Sequence, residues 1–108
     1  MHALALAAIV LRITVWPGGL DGASHAWTLR CGPIGGTLPE AAAACAKLAR
    51  LDAPFAPTPP GVACSQVYGG PQVARVTGRF RGRDVWATFR RRDGCESDRW
   101  SKIAFLLR

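Results

Sequence analysis

The sequence predicts an α+β fold: a five-stranded antiparallel sheet that carries one long and one short helix. Segments rich in β-branched residues are joined by connections too short for parallel crossovers, which indicates antiparallel strands. A single alanine-rich segment has the apolar spacing of a helix that packs on a sheet. The 108 residues, 49% of them hydrophobic, are enough for a single domain spanning residues 1–108 and too few for two.

The first two strands are predicted on either side of a glycine-rich turn. Residues 9–16 read IVLRITVW, in which Arg12 and Thr14 interrupt the apolar run on one face. After this turn, residues 26–31 are predicted to form the second strand, and residues 32–38 a Gly/Pro loop. The apolar run over residues 3–11 is too short for a bilayer span and lacks the basic leader of a signal peptide. We interpret it as the entry to the first strand, and expect any secretion signal to lie outside this chain.

The long helix is predicted over residues 41–51, with Pro39 and Glu40 at its start, where proline and an acidic residue are favoured. Its apolar stripe consists of Ala41, Ala44, Cys45, Leu48 and Leu51. Cys45 therefore points inward, towards a partner on the sheet or on a loop. Residues 52–61 contain four prolines and are predicted to be a loop with restricted backbone freedom.

A β-hairpin is predicted over residues 73–91, with its turn at residues 81–84. Apolar and polar positions alternate along both strands, which indicates one face on the core and one in water. The predicted outer face carries Arg75, Thr77, Arg79, Arg81, Trp86, Thr88 and Arg90. Residues 95–101 are predicted to form the short helix, and residues 103–107 a final strand.

The chain is short and contains an even number of cysteines, four. This indicates two disulfides and an oxidising compartment. The cysteines are Cys31, Cys45, Cys64 and Cys95. Spacing alone allows all three pairings. Since no C-x-x-C or close Cys/His pair is present, we expect no metal site and no cofactor. The sequence also has no nucleophile elbow, phosphate loop or glycosidase-type carboxylate pair, so we expect no enzyme.

The net charge of +7 favours acidic partners. The basic residues are nearly all arginine and are spread over most of the chain, so we do not expect nucleic acid as a partner. It stays open as an alternative through Arg79, Arg81 and Arg90 on the hairpin. An exposed Trp86 among these arginines is typical of a contact with a second copy of the chain.

One loop has an unusual construction. Residues 61–71 read GVACSQVYGGP, so a cysteine lies two residues before Gln66, with a proline-rich approach and a Gly-Gly-Pro exit. With this loop, the sequence resembles the Streptomyces subtilisin inhibitor family over nearly the whole chain. The matching features are TLRC at residues 28–31, ACAKL at 44–48, CSQVY at 64–68, the Gly82 turn followed by Val85, Cys95, and the apolar C-terminal segment with Phe105.

The resemblance implies a secreted serine protease inhibitor with the subtilisin inhibitor-like sandwich fold, whose expected targets are subtilisin-like proteases. It implies disulfides Cys31–Cys45 and Cys64–Cys95, a scissile bond between Gln66 and Val67, and a homodimer built through the sheet.

The same resemblance gives each loop residue a role. Gln66 enters the primary specificity pocket and Val67 lies just beyond the bond. Ala63 offers a small side chain to an upstream pocket, Ser65 lies on the side of the protease's catalytic histidine, and Tyr68 continues the extended strand.

Four features depart from the family pattern. Ser65 replaces the usual proline, and Gln66 replaces methionine or lysine, which removes the ion pair that a trypsin-like pocket requires. Gly69 and Gly70 stand where the family has one aspartate. Residues 90–94 read RRRDG where an Asn-Glu pair usually precedes the cysteine. A secreted module whose loop binds a partner other than a protease remains a further alternative.

Overall fold

A computed structural model describes residues 8–108 and confirms the predicted α+β class. The elements in chain order are β1 (Ile9–Trp16), β2 (His25–Cys31), β3 (Gly35–Gly36), α1 (Ala41–Arg50), β4 (Val73–Phe80), β5 (Arg83–Phe89), α2 (Gly94–Lys102) and a 3-10 turn (Ala104–Leu106). The predicted entry to the first strand lies partly outside the described residues. Within residues 8–108, the helices are too short and too polar for a transmembrane segment.

The strands form one antiparallel sheet in the order β3-β2-β1-β4-β5. The central strand β1 has the predicted alternation, with Ile9, Leu11, Ile13 and Val15 buried on the inner face. Arg12 lies on the outer face, paired in register with Thr28 of β2 and Thr77 of β4. The period of two along β1 therefore gives the sheet one core face and one face in water.

The helices and the C-terminal turn cover the inner face of the sheet. From α1, Ala44 and Leu48 are buried, as the predicted apolar stripe requires. The largest fully buried side chains are Leu11, Ile13, Leu29, Leu48, Val76, Phe89, Ile103 and Leu106. The core thus joins β1, β2, β4, β5, α1 and the segment after α2, and residues distant in the chain depend on one another.

The prediction of a final strand over residues 103–107 is wrong. Ile103 and Leu106 are both 0% exposed, and they are three residues apart. A strand would place them on opposite faces, whereas a 3-10 turn places them on the same side. The fifth strand is instead β3, inside the predicted loop, where Gly35 and Gly36 pair with β2. A side chain at Gly36 would collide with the backbone of Thr28, so no apolar pattern could mark this strand.

Both ends of α1 differ from the prediction in detail. Glu40 precedes the first turn as the N-cap, with φ at 57° and no capping side-chain bond. At the other end, the Arg81 guanidinium donates hydrogen bonds of 2.9–3.4 Å to carbonyl oxygens of the last turn and its exit. These acceptors belong to Leu48, Ala49, Leu51 and Asp52. Arg81 therefore caps α1, and the prediction that it lies on the outer face is wrong.

Candidate functional site

The segment between the proline-rich loop and β4 contains neither helix nor strand, and it presents apolar side chains to water. Val67 is 68% exposed and Tyr68 is 64% exposed. Gln66, which precedes Val67, is exposed as well. Neighbouring large apolar groups are rarely left in water unless they meet a partner. We call residues 61–71 the exposed loop.

A disulfide anchors the exposed loop to the second helix. Cys64 is bonded to Cys95 in the first turn of α2, with the Cα atoms 5.3 Å apart. The other disulfide joins Cys31, at the end of β2, to Cys45 in the middle of α1. These are the two pairings that the family resemblance implies. Because Cys31 pairs with Ile9 in register and the loop enters β4 beside Trp16, the two disulfides lie at opposite ends of the sheet.

Two backbone hydrogen bonds anchor the loop on either side of the Gln66-Val67 bond. Upstream, the Gly94 amide donates to the Ser65 carbonyl oxygen at 2.9 Å. Downstream, the Gly69 amide donates to the Arg91 carbonyl oxygen at 2.6 Å. The backbone is therefore held at Ser65 and at Gly69, and the side chains of residues 65–68 are exposed.

The upstream and downstream supports both depend on glycine. A Cβ on Gly94 would fall against the side chain of Ser65, and a Cβ on Gly69 would fall against Ser97 and the Arg91 carbonyl. Neither glycine has a positive φ, so the reason for glycine is close approach of the backbone and not a left-handed conformation.

The structure brings the predicted loop residues together in one continuous exposed segment. Ala63, Ser65, Gln66, Val67 and Tyr68 are all exposed. The Gln66 side chain folds back on its own loop, where its Nε2 donates to the Cys64 carbonyl oxygen at 3.2 Å. Entry of Gln66 into a pocket would exchange this single hydrogen bond for one with the partner.

Sequence reasoning missed Arg99, which holds the proline-rich segment that leads into the exposed loop. Its guanidinium donates to the Ala56 oxygen at 3.0 Å and to the Thr88 oxygen at 3.3 Å, and it stacks on the Phe89 ring. Burial lowers the pKa of Arg99, and the Glu96 carboxylate opposes that shift. Arg99 thus fastens the proline-rich approach to β5. Its spacing, four residues after Cys95, predicts only that it lies on the same face of α2 and does not predict these contacts.

Asp93 lies beside the Cys64–Cys95 disulfide, with a carboxylate oxygen within 4.8 Å of both sulfur atoms. The sulfurs are bonded to each other, so they are not thiolate ligands. The Asp93 side chain accepts a hydrogen bond from the Glu96 amide at 2.9 Å and caps α2. This cluster therefore positions the helix that carries Cys95.

Two arginines of the hairpin bind groups of the chain itself. Arg79 forms an ion pair with Asp84 at 2.7 Å, and Arg81 caps α1. Two of the three arginines in the nucleic-acid alternative thus already have partners within the chain. Trp86 is 74% exposed, and the Arg75 guanidinium stacks on its ring.

A protein-family model matches the chain. The model of the subtilisin inhibitor-like family matches residues 7–91, which include Cys31, Cys45, Cys64 and the Gln66-Val67 bond and end before Cys95. No curated protein shows significant similarity to the chain. The match extends over well more than half of the sequence and spans β1 to β5, α1 and the Cys31–Cys45 disulfide. The chain belongs to the subtilisin inhibitor-like family.

Proposed function

We propose that this protein is a secreted inhibitor of subtilisin-like serine proteases that presents the Gln66-Val67 bond as a substrate. Membership of a family of protease inhibitors supports the general activity. The observation that carries the mechanism is the anchoring of the exposed loop on both sides of that bond. Two disulfides favour an oxidising, extracellular location.

Binding benefits from the fixed loop because proteases take extended peptides as an added strand, with pockets for individual side chains. A free peptide loses conformational entropy when it is ordered in this way. The exposed loop is already held at Cys64, Ser65 and Gly69, so less entropy is lost on binding and the affinity rises.

Slow turnover follows from the same anchors. Attack of the protease serine on the Gln66 carbonyl carbon would form an acyl-enzyme and free the amine of Val67. The Cys64–Cys95 disulfide and the Ser65–Gly94 hydrogen bond hold the upstream end, while the Gly69–Arg91 bond holds the downstream end. The amine therefore stays close to the ester carbonyl, where its return attack restores the peptide bond and the serine before water hydrolyses the ester.

The proposed specificity depends on Gln66. A neutral amide gives no ion pair to a pocket with an acidic base, so trypsin-like proteases are poor targets. A broad, mainly apolar pocket accepts the methylene groups of Gln66 and leaves its amide at the pocket mouth. Ala63 and Tyr68 are proposed to contact the upstream and downstream subsites. The chain itself acts as a ligand of the protease and not as an enzyme.

We further propose that residues 1–108 are one domain and that a homodimer forms through the outer face of the sheet. Exposed Trp86, which pairs in register with Thr77, supports this contact. Arg12 of β1 lies next to Thr77 on the same face, so a dimer brings like charges together. Self-association should therefore strengthen as salt screens the repulsion, and sedimentation at low and high salt measures this.

The test of inhibition is titration of the oxidised protein against subtilisin, with sequencing of any nicked product. We expect stoichiometric inhibition and a single slow cut after Gln66. Val67→Pro should weaken inhibition strongly, because proline fixes φ and removes the amide, whereas Val67→Ala, the matched control, should keep most of it. Absence of inhibition across a panel of serine proteases at micromolar concentration would overturn the proposal and favour a partner other than a protease.

A further inference from the structure

A run of three arginines, Arg90, Arg91 and Arg92, lies between β5 and α2, directly against the downstream half of the exposed loop. The Arg91 carbonyl holds Gly69, but the proposed mechanism gives no role to the side chains of the run. The positive charge of this run therefore lies on the surface that a bound protease would contact.

The run borders a cleft of about 280 Å³ beside Tyr68. Its lining consists of Tyr68, Gly70, Pro71, Gln72, Val73, Arg90 and Arg92. No acidic residue is among these, and the cleft opens on the side of the loop that follows the Gln66-Val67 bond. An arginine guanidinium next to an aromatic ring is well suited to bind a carboxylate, through paired N–H donors and a flat apolar flank.

The charges at the cleft are compensated unequally. Arg92 forms an ion pair with Glu96 at 3.0 Å, which raises the pKa of Arg92. Arg90 takes part in none of the ion pairs or side-chain hydrogen bonds found among residues 8–108. Arg90 is therefore the uncompensated cation of the cleft, and it is partly exposed.

We infer that this cleft receives an acidic side chain of the target protease. The partner is then a serine protease with carboxylates on the leaving-group side of its active site. The inference rests on the proposed function and adds a second point of recognition to the primary pocket. A net charge of +7 would speed the encounter with such a surface. The contact at Arg90 would then fix the position of the protease on the exposed loop.

Arg83 provides a matched control because it lies at the start of β5, the end of the strand remote from Arg90. It is exposed and forms none of the ion pairs among the described residues. Arg83→Glu and Arg90→Glu change the net charge equally, so they separate overall steering from contact at the cleft. Arg90→Gln removes the charge without adding an opposite one.

The experiment measures association and inhibition constants against two forms of one subtilisin. One form carries Asp or Glu residues on the leaving-group side of its active site. In the other form these residues are replaced by Asn or Gln. For the acidic form, we expect Arg90→Glu to weaken inhibition on the order of tenfold, Arg90→Gln to weaken it less, and Arg83→Glu to change it by less than about twofold. The Arg90 effect should shrink in high salt and disappear with the amide form.

Equal effects of Arg83→Glu and Arg90→Glu, or an Arg90 effect that persists with the amide form, would overturn the inference while leaving the proposed function intact. If the unaltered protein inhibits neither subtilisin nor any other protease tested, the proposed function fails and the inference fails with it. Thermal unfolding of each variant verifies that the fold is retained.

Discussion

The two disulfides have similar Cα–Cα distances, 5.8 and 5.3 Å, yet they lie in different surroundings. Cys31 is 8% exposed and belongs to the main core cluster, and its partner Cys45 packs against that core. Cys64 and Cys95 are partly exposed, and their neighbours are the hydrogen-bonded backbone of the exposed loop and the start of α2. The same covalent bond therefore stabilises the whole fold at one end of the sheet and a local backbone shape at the other.

The largest expected effect comes from removal of the loop disulfide by Cys64→Ser together with Cys95→Ser. The loop then has to be ordered when the protease binds, and an ordering cost of about 3 kcal/mol corresponds to roughly 100-fold weaker inhibition. The nicking rate after Gln66 should rise as well, because the cut ends separate. Titration with subtilisin and mass spectrometry of the product measure both, and unchanged inhibition would remove the distinction between the disulfides.

The matched change at the other end of the sheet is Cys31→Ser together with Cys45→Ser. In the chain-entropy argument, opening this link lowers the free energy of unfolding by about 3 kcal/mol. The inhibition constant should stay within about threefold at temperatures where the protein is folded, since the two sites are remote from each other. Chemical denaturation measures the first quantity. A large loss of inhibition by a folded variant would contradict the comparison.

A smaller effect is expected when the loop is displaced and its disulfide is kept. In Gly94→Ala, the added methyl group meets Oγ of Ser65 and lies 3.3 Å from its Cβ, so we expect the hydroxyl to rotate and the Gly94–Ser65 hydrogen bond to lengthen slightly. We expect inhibition about tenfold weaker, which corresponds to about 1.4 kcal/mol. Gly18→Ala is the control, because a Cβ at that position has no neighbour within 4 Å. Equal inhibition by the two variants would show that the upstream hydrogen bond has no role.

The smallest effect is expected from Glu96→Gln, which breaks the ion pair with Arg92 on the helix that carries Cys95. Arg92 is largely exposed, so water and salt screen the pair. The free energy of unfolding should change by no more than about 0.5 kcal/mol. Urea denaturation at low and high salt measures it. A loss several times larger would mean that this pair, and not the disulfide, sets the position of α2.

Long, regular patterns made most of the fold predictable. The alternation along residues 9–16 and along the hairpin specified β1, β4 and β5, and the apolar stripe from Ala41 to Leu48 specified α1. The strand β3 has only two glycines, so it offers no side-chain pattern. The residues after α2 are apolar like a strand, and only their tertiary packing, with Ile103 and Leu106 on one side, turns them into a helical turn.

The exposed loop could be found from its sequence, but its supports could not. Cys64, Gln66 and Tyr68 form a recognisable local pattern, and residues 64–68 lie within the family match. The Arg91 carbonyl and the Gly94 amide act through backbone atoms that every residue has, so their roles depend on where β5 ends and α2 begins. Arg99 contacts segments 43 and 11 residues away, a separation that no local pattern reveals.

The contact between Arg81 and α1 has a consequence for the order of folding. The carbonyl oxygens at the end of α1 find their donor on the tip of a hairpin about 30 residues later in the chain. A ten-residue helix is marginal on its own, so its final turn should become ordered only after the hairpin has formed and docked. Folding is then a concerted, non-local event. Hydrogen exchange should show the amides near Leu48 opening together with those of β4 and β5.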